Sequence, residues 1–95
     1  MSTLIAYAHI VRKPRICGGF PHVQGTRIRV MDVVALHKRG LSPAEILDSY
    51  DHLSLAQVHS ALAYYYDHEE EIEQEFNQVR RFAERFRTKH PTLVR

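Results

Sequence analysis

Residues 40–68 read GLSPAEILDSYDHLSLAQVHSALAYYYDH, and this stretch contains one helix-start pattern written twice. In Leu41-Ser42-Pro43-Ala44-Glu45-Ile46, Ser42 is placed as an N-cap and Pro43 takes the first helical position, where no N–H is needed. Glu45 then closes a capping box. Leu53-Ser54-Leu55-Ala56-Gln57-Val58 repeats the order with Ser54 and Gln57. In each copy the residue before the cap, Leu41 or Leu53, can pack on the one five positions later, Ile46 or Val58, as a hydrophobic staple that sets the angle at which the chain enters the helix. Two helices starting twelve residues apart around a short turn predict a helix-turn-helix outline.

Working outward, Met31 to Arg39 carries Val30, Val33, Val34 and His37 on one side at helical spacing. Lys38 and Arg39 fall in its last turn and Gly40 just beyond, a combination that stops a helix. A second helix is expected from about Pro43 to Tyr50, with Ile46, Leu47 and Tyr50 inward, and a third from Leu55. Upstream, Leu4 to Ile16 alternates apolar and basic residues as a strand or extended arm, kept short by Pro14. Cys17-Gly18-Gly19-Phe20-Pro21 reads as a turn, and Val23, Ile28 and Val30 as short extended pieces around Gly25. The expected fold class is mainly α. A short N-terminal β element precedes a three-helix helix-turn-helix unit, and a long C-terminal helix or helical extension follows. The 95 residues are expected to form a single domain, with a basic β-containing segment over 1–30, the helix-turn-helix core over 31–68 and the helical extension over 69–95.

Downstream, Leu55, Val58, Leu62, Tyr65, Glu69, Ile72, Phe76, Val79, Ala83 and Phe86 recur in alternating steps of three and four, with Glu69 the one break in the apolar seam. No Gly or Pro occurs between Pro43 and Pro91. An unbroken helix over 55–87 would be roughly 50 Å long at ~1.5 Å per residue, more than a chain of this size can cover. Either the chain folds back over 67–71, or the distal half docks on another chain. Burying a phenylalanine side chain is worth on the order of 1.5–3 kcal/mol, which disfavours leaving Phe76, Phe82 and Phe86 in water.

Composition narrows the classes. Hydrophobic residues make up 44% and charged residues 25%, as in a soluble globular chain. No apolar run approaches the roughly 20 residues of a membrane span, so a cytoplasmic protein is expected, with no membrane partner. The lone Cys17 excludes an intrachain disulfide or a multi-cysteine zinc site, and reads as a small, partly buried residue. The net charge of +2 hides a segregation. Residues 1–40 hold seven Lys/Arg against Asp32, residues 41–75 hold nine acids with no Lys or Arg, and residues 76–95 hold six bases against Glu84. Basic, acidic, basic blocks suit a protein that offers different faces to different partners.

Little in the chain points to catalysis. His52, His59 and His68 lack the i, i+3 or i, i+4 spacing with which one helix supplies two metal ligands, and the carboxylates Asp67, Glu69, Glu70, Glu71, Glu73 and Glu75 read as a solvated face. No glycine-rich loop leads into a helix to cradle phosphate. A non-enzyme without metal or cofactor is expected. The helix-turn-helix outline raises DNA binding, yet the third helix begins with Ala56, Gln57, His59 and Ser60 and no cation. The electrostatics of a DNA contact would come from Arg12, Lys13, Arg15, Arg27, Arg29, Lys38 and Arg39, with Gln57 and Ser60 reaching bases or backbone. For Arg27 an internal ion pair with Glu45 or Asp48 is the alternative.

Gly19-Phe20-Pro21-His22-Val23-Gln24-Gly25-Thr26-Arg27-Ile28-Arg29-Val30 resembles the G-x-P-x-[IV]-x-G-T-R-I-x-V signature of the prokaryotic DUF433 family. Gly40, Ser42, Glu45-Ile46-Leu47, Tyr50, Leu53-Ser54, Gln57-Val58, Ala61-Leu62 and Tyr64-Tyr65 continue the likeness, which covers roughly 17–72. Arg29 stands where the family often has Pro, and Asp51-His52 replaces a common Pro-containing turn. The resemblance implies a homeodomain-like three-helix unit and a VapB-type antitoxin of a type II toxin-antitoxin system, acting on a PIN-like ribonuclease toxin and on operator DNA in transcription regulation. On that reading Ile72, Phe76, Val79, Arg80, Arg81, Phe82 and Phe86 bind the toxin and the protein is a homodimer. The alternative is a homo-oligomeric interaction module without DNA affinity, in which the acidic 67–75 and basic 80–89 stretches pair between antiparallel helices.

Overall fold

The computed structural model describes residues 7–89, with the order β1 (Ile10–Val11), β2 (His22–Val23), α1 (Val30–Lys38), α2 (Pro43–Ser49), α3 (Leu55–Asp67) and α4 (Glu69–Lys89). Both helix-start patterns close as reciprocal caps. The Ser42 hydroxyl accepts from the Glu45 N–H while Glu45 accepts from the Ser42 N–H, and Ser54 and Gln57 do the same. The Ser42 bonds hold the Glu45 carboxyl below its ordinary range.

α1 stops as its last residues predict. Gly40 takes a left-handed φ of +93°, its N–H bonds the His37 carbonyl at 2.9 Å and the Leu41 N–H bonds the Leu36 carbonyl at 3.2 Å, which is a Schellman closure. At the other end the Asp32 carboxylate accepts from the Arg29 N–H and pairs with the Arg29 guanidinium, both at 2.8 Å. Val30, Val33 and Val34 are buried, whereas His37 is half-buried and meets the hydroxyl of Tyr66.

The N-terminal β element is small. β1 and β2 run antiparallel with Ile10 opposite Val23 and Val11 opposite His22, and an isolated bridge joins His22 to Arg29. The strand expected over 4–16 is limited to Ile10–Val11, and residues 4–6 lie outside the described residues. Over Cys17, Gly18 and Gly19 the backbone turns through φ of 55°, 64° and 82°, so the turn falls where two glycines relieve the strain of the left-handed region. Around Gly25 the Thr26 hydroxyl donates to the Val23 carbonyl and accepts from the Ile28 N–H, folding the chain so that Val23 N–H meets Ile28 carbonyl at 2.8 Å.

The core is one cluster. Val23, Ile28, Val30, Met31, Val33, Val34, Ile46, Leu53, Val58, Ala61, Leu62 and Tyr65 meet between β2 and helices α1 to α3, and Ile72 joins them from α4. Leu47 and Tyr50 pack at its edge, while Leu55, which the seam placed inward, is 47% exposed.

The long helix is interrupted at His68, within the window where a fold-back was expected. His68 leaves helical geometry (φ −137°, ψ 41°), and its N–H bonds the Tyr65 carbonyl instead of that of Tyr64. Its ring stacks on Tyr64 with centroids 4.2 Å apart, and Nδ1 donates to the Tyr64 carbonyl at 3.0 Å. The side chain thus replaces the amide that the break withdraws. Beyond it the first two turns of α4 are tied down, with Ile72 buried and Phe76 packed on the core. From Val79 onward the helix leaves the core, and the molecule measures 56 × 32 × 23 Å.

Candidate functional site

Two surfaces follow from this architecture, and each redistributes the residues that the sequence nominated. Among the seven cations proposed for DNA, three have internal work. The Arg12 guanidinium donates to the Gly19 carbonyl at 2.8 Å, pairs with Glu71 and lies 3.5 Å from Glu75. Arg29 is held by Asp32. Lys38 pairs with Glu73 and sits over the Phe76 ring, 4.9 Å from its centroid. Arg12 and Lys38 therefore fasten α4 to β1 and α1.

The carboxyls that face these cations are shifted in opposite directions. The Lys38 ammonium holds the Glu73 carboxyl below its ordinary range. Burial pushes Glu75 up despite Arg12, and its Oε1 has no partner among the described residues. Burial and the Glu73 carboxylate, which accepts from the Tyr65 hydroxyl at 2.9 Å, together push Tyr65 to about 12. A hydrogen bond to Asp67 does the same for Tyr7.

Lys13, Arg15, Arg27 and Arg39 remain exposed, with no ion pair among the described residues. The alternative for Arg27, a pair with Glu45 or Asp48, does not form. Lys13 and Arg27 come together at one pocket with Ile16, His22, Gly25 and Thr26. On α3 the Gln57 side-chain oxygen is committed to its cap while its amide N–H groups are not, and Ser60 is half-buried.

The second surface is the distal half of α4. Val79 is 39% exposed, Phe82 66% and Phe86 41%. Arg81 and Arg85 flank them, and Phe20 closes one side of the groove they line. Arg80 is exposed and donates to Asn77. Of the proposed partner-binding set, then, Ile72 and Phe76 belong to the domain's own packing, while Val79, Arg80, Arg81, Phe82 and Phe86 form the outward part. Phe20 and the buried His22 were missed as pocket-lining residues because what places them is the turn over Cys17–Gly19, not their own spacing; their position inside the Gly19–Val30 block was the available signal. Among the described residues no group of three or more His, Cys, Asp or Glu could hold a metal ion, and no helix is long and apolar enough to cross a membrane.

The comparisons with known proteins converge on one family. Residues 10–65 match the family described as "Protein of unknown function (DUF433)". Among solved structures, a DUF433 member protein from Anabaena variabilis ATCC 29413 is similar at 33% identity with a TM-score of 0.66, over 70% of this chain and 66% of that one. No curated protein matches. The family match takes in both the Gly19–Val30 block and the doubled caps, and the chain belongs to the DUF433 family, whose function is unknown.

Proposed function

We propose that this protein is a non-catalytic, antitoxin-type binding protein whose distal α4 occupies a PIN-like ribonuclease and whose unpaired N-terminal cations contact operator DNA. The observation that carries the reading is the division of α4. Its first two turns are sealed onto the core, while Val79 and Phe82 stand exposed between Arg80, Arg81 and Arg85. An apolar ridge flanked by guanidinium groups suits a partner with an apolar groove beside acidic groups, as a metal-dependent nuclease centre provides. Lys13, Arg15, Arg27 and Arg39 supply the positive charge for phosphates, and the exposed start of α3 supplies none.

Co-expression with a PIN-like ribonuclease encoded beside the gene tests the first half. Stable co-purification with loss of nuclease activity is expected, and a nuclease that neither co-purifies nor is inhibited overturns it. Gel-shift titration on the gene's own promoter tests the second half, where absence of a shift at low salt overturns operator binding.

A second reading has its own support. Glu69 and Glu70 are exposed at the start of α4, and Arg80, Arg81 and Arg85 are exposed further along, so two α4 helices set antiparallel would bring opposite charges together. A homo-oligomer of this kind dissociates when Arg80 and Arg81 are reversed to Glu, which light scattering reads directly.

A further inference from the structure

We infer that the pocket between Lys13 and the Gly25 turn is a binding site for a single phosphate group. Lys13, Ile16, His22, Gly25, Thr26 and Arg27 line it, and no carboxylate is among them. Elsewhere in the N-terminal segment the cations that touch the fold are neutralised: Arg12 by Glu71 and Glu75, and Arg29 by Asp32. Lys13 and Arg27 share one concavity and have no counter-charge among the described residues. Two like charges held around one depression attract an anion, and a phosphate satisfies both at once.

Two neutral donors lie on residues that line the pocket. The Gly25 and Arg27 backbone N–H groups find no acceptor among the described residues, whereas those of Gln24, Thr26 and Ile28 are all bonded. Gly25 has φ +80° and open space where a Cβ would stand, so an oxyanion can approach the backbone there without meeting a side chain. His22 is 1% exposed, and its Nδ1 is fixed on the Phe20 carbonyl at 3.0 Å. With Nδ1 donating, Nε2 is an acceptor, left without a partner on a residue that lines the pocket and suited to the hydroxyl of a protonated phosphate rather than to its bare oxygens. The pocket, about 390 Å³, lies within the range of small-ligand sites.

The chemistry selects a phosphate ester or free phosphate, and a DNA backbone or a phosphorylated small molecule can supply it. The inference is independent of what α4 binds. With DNA as the source it would place one contact of the proposed operator complex.

The test is titration of ¹⁵N-labelled full-length protein with inorganic phosphate, at ionic strength held constant with sodium chloride. Saturable shifts of the Gly25 and Arg27 amide signals and the His22 imidazole signals are expected. Binding should weaken at least about tenfold in the Lys13→Gln, Arg27→Gln double variant, the scale on which charge-assisted contacts act. Both residues are exposed and unpaired, so the variant should keep the dispersed spectrum of the parent. A response that never saturates, or an affinity unchanged in the double variant, overturns the site. A duplex oligonucleotide that displaces phosphate at the same signals identifies the backbone as its source. Phosphate binding that persists undisturbed by DNA identifies a small phosphorylated ligand, and it stands even if operator binding fails.

Discussion

Glu73 and Glu75 lie two residues apart on α4 and respond to acid in opposite directions. Glu73 is held below 4.5 by Lys38, so its contribution to stability is present above that value and disappears as the pH falls through its folded-state pKa. Glu73→Gln is expected to cost roughly 0.5 kcal/mol near neutrality, because the pair is partly exposed, and nothing in acid. Burial raises Glu75, so its favourable state is the protonated one, fully present below 4.5 and lost as the pH rises through its folded-state pKa. Glu75→Gln should therefore unfold at higher urea than the parent at pH 7, with the gain fading as the pH falls through the folded-state pKa of Glu75 and absent below 4.5. An equal or lower midpoint at pH 7 would contradict the assignment of Glu75 as a net desolvated charge. Arg12→Ala leaves Glu75 buried without its cation and should cost about 2 kcal/mol, less than a fully buried pair because Arg12 itself reaches solvent. That cost should shrink in the Glu75→Gln background, a coupling that a double-mutant cycle measures.

At the scale of elements, what the sequence made legible is what its local rules decide. The two capping boxes and the Gly40 stop depend on residues three to five positions apart, and all three formed as their spacing predicted. Ser42→Ala and Ser54→Ala should each cost about 1 kcal/mol in urea unfolding. The destinations of Arg12 and Lys38 were not legible, because their acids lie 59 and 35 positions further along the chain and only the packing of α4 brings them close. As free cations they belonged with Lys13 and Arg27; folded, they are fasteners. The break at His68 was legible only as a window, since no Gly or Pro marks it. It is stabilised by a ring that bonds the carbonyl four residues back, an option open only once the chain has left the helix. His68→Ala should lower stability by about 1 kcal/mol by leaving the Tyr64 carbonyl to water, and the Tyr64 ring without its stacked neighbour. Hydrogen exchange of the amides over 69–73 should accelerate with it.

Across the whole molecule, apolar burial and charge divide α4 into two parts with different obligations. Up to Phe76, Ile72 and Phe76 pack on the core and Glu71, Glu73 and Glu75 are tied to Arg12 and Lys38, so substitutions at these five positions change stability and binding together. Val79 and Phe82 lie beyond that boundary and add exposed apolar surface to a chain whose core is already closed. Apart from Phe20 at the edge of their groove, no core residue covers them among the described residues, and it is this asymmetry that makes the distal helix the place to look for a partner. A Val79→Glu, Phe82→Glu double variant should therefore unfold within about 0.5 kcal/mol of the parent, as surface changes do. The same variant should lose co-purification with the nuclease, since truncating or charging a central aromatic anchor typically costs more than about 2 kcal/mol of binding. If it unfolds markedly more easily, the distal half of α4 packs on its own domain; if it folds and still captures the nuclease, the contact lies elsewhere on the chain. Only the combination of intact stability and lost capture assigns the ridge to a partner.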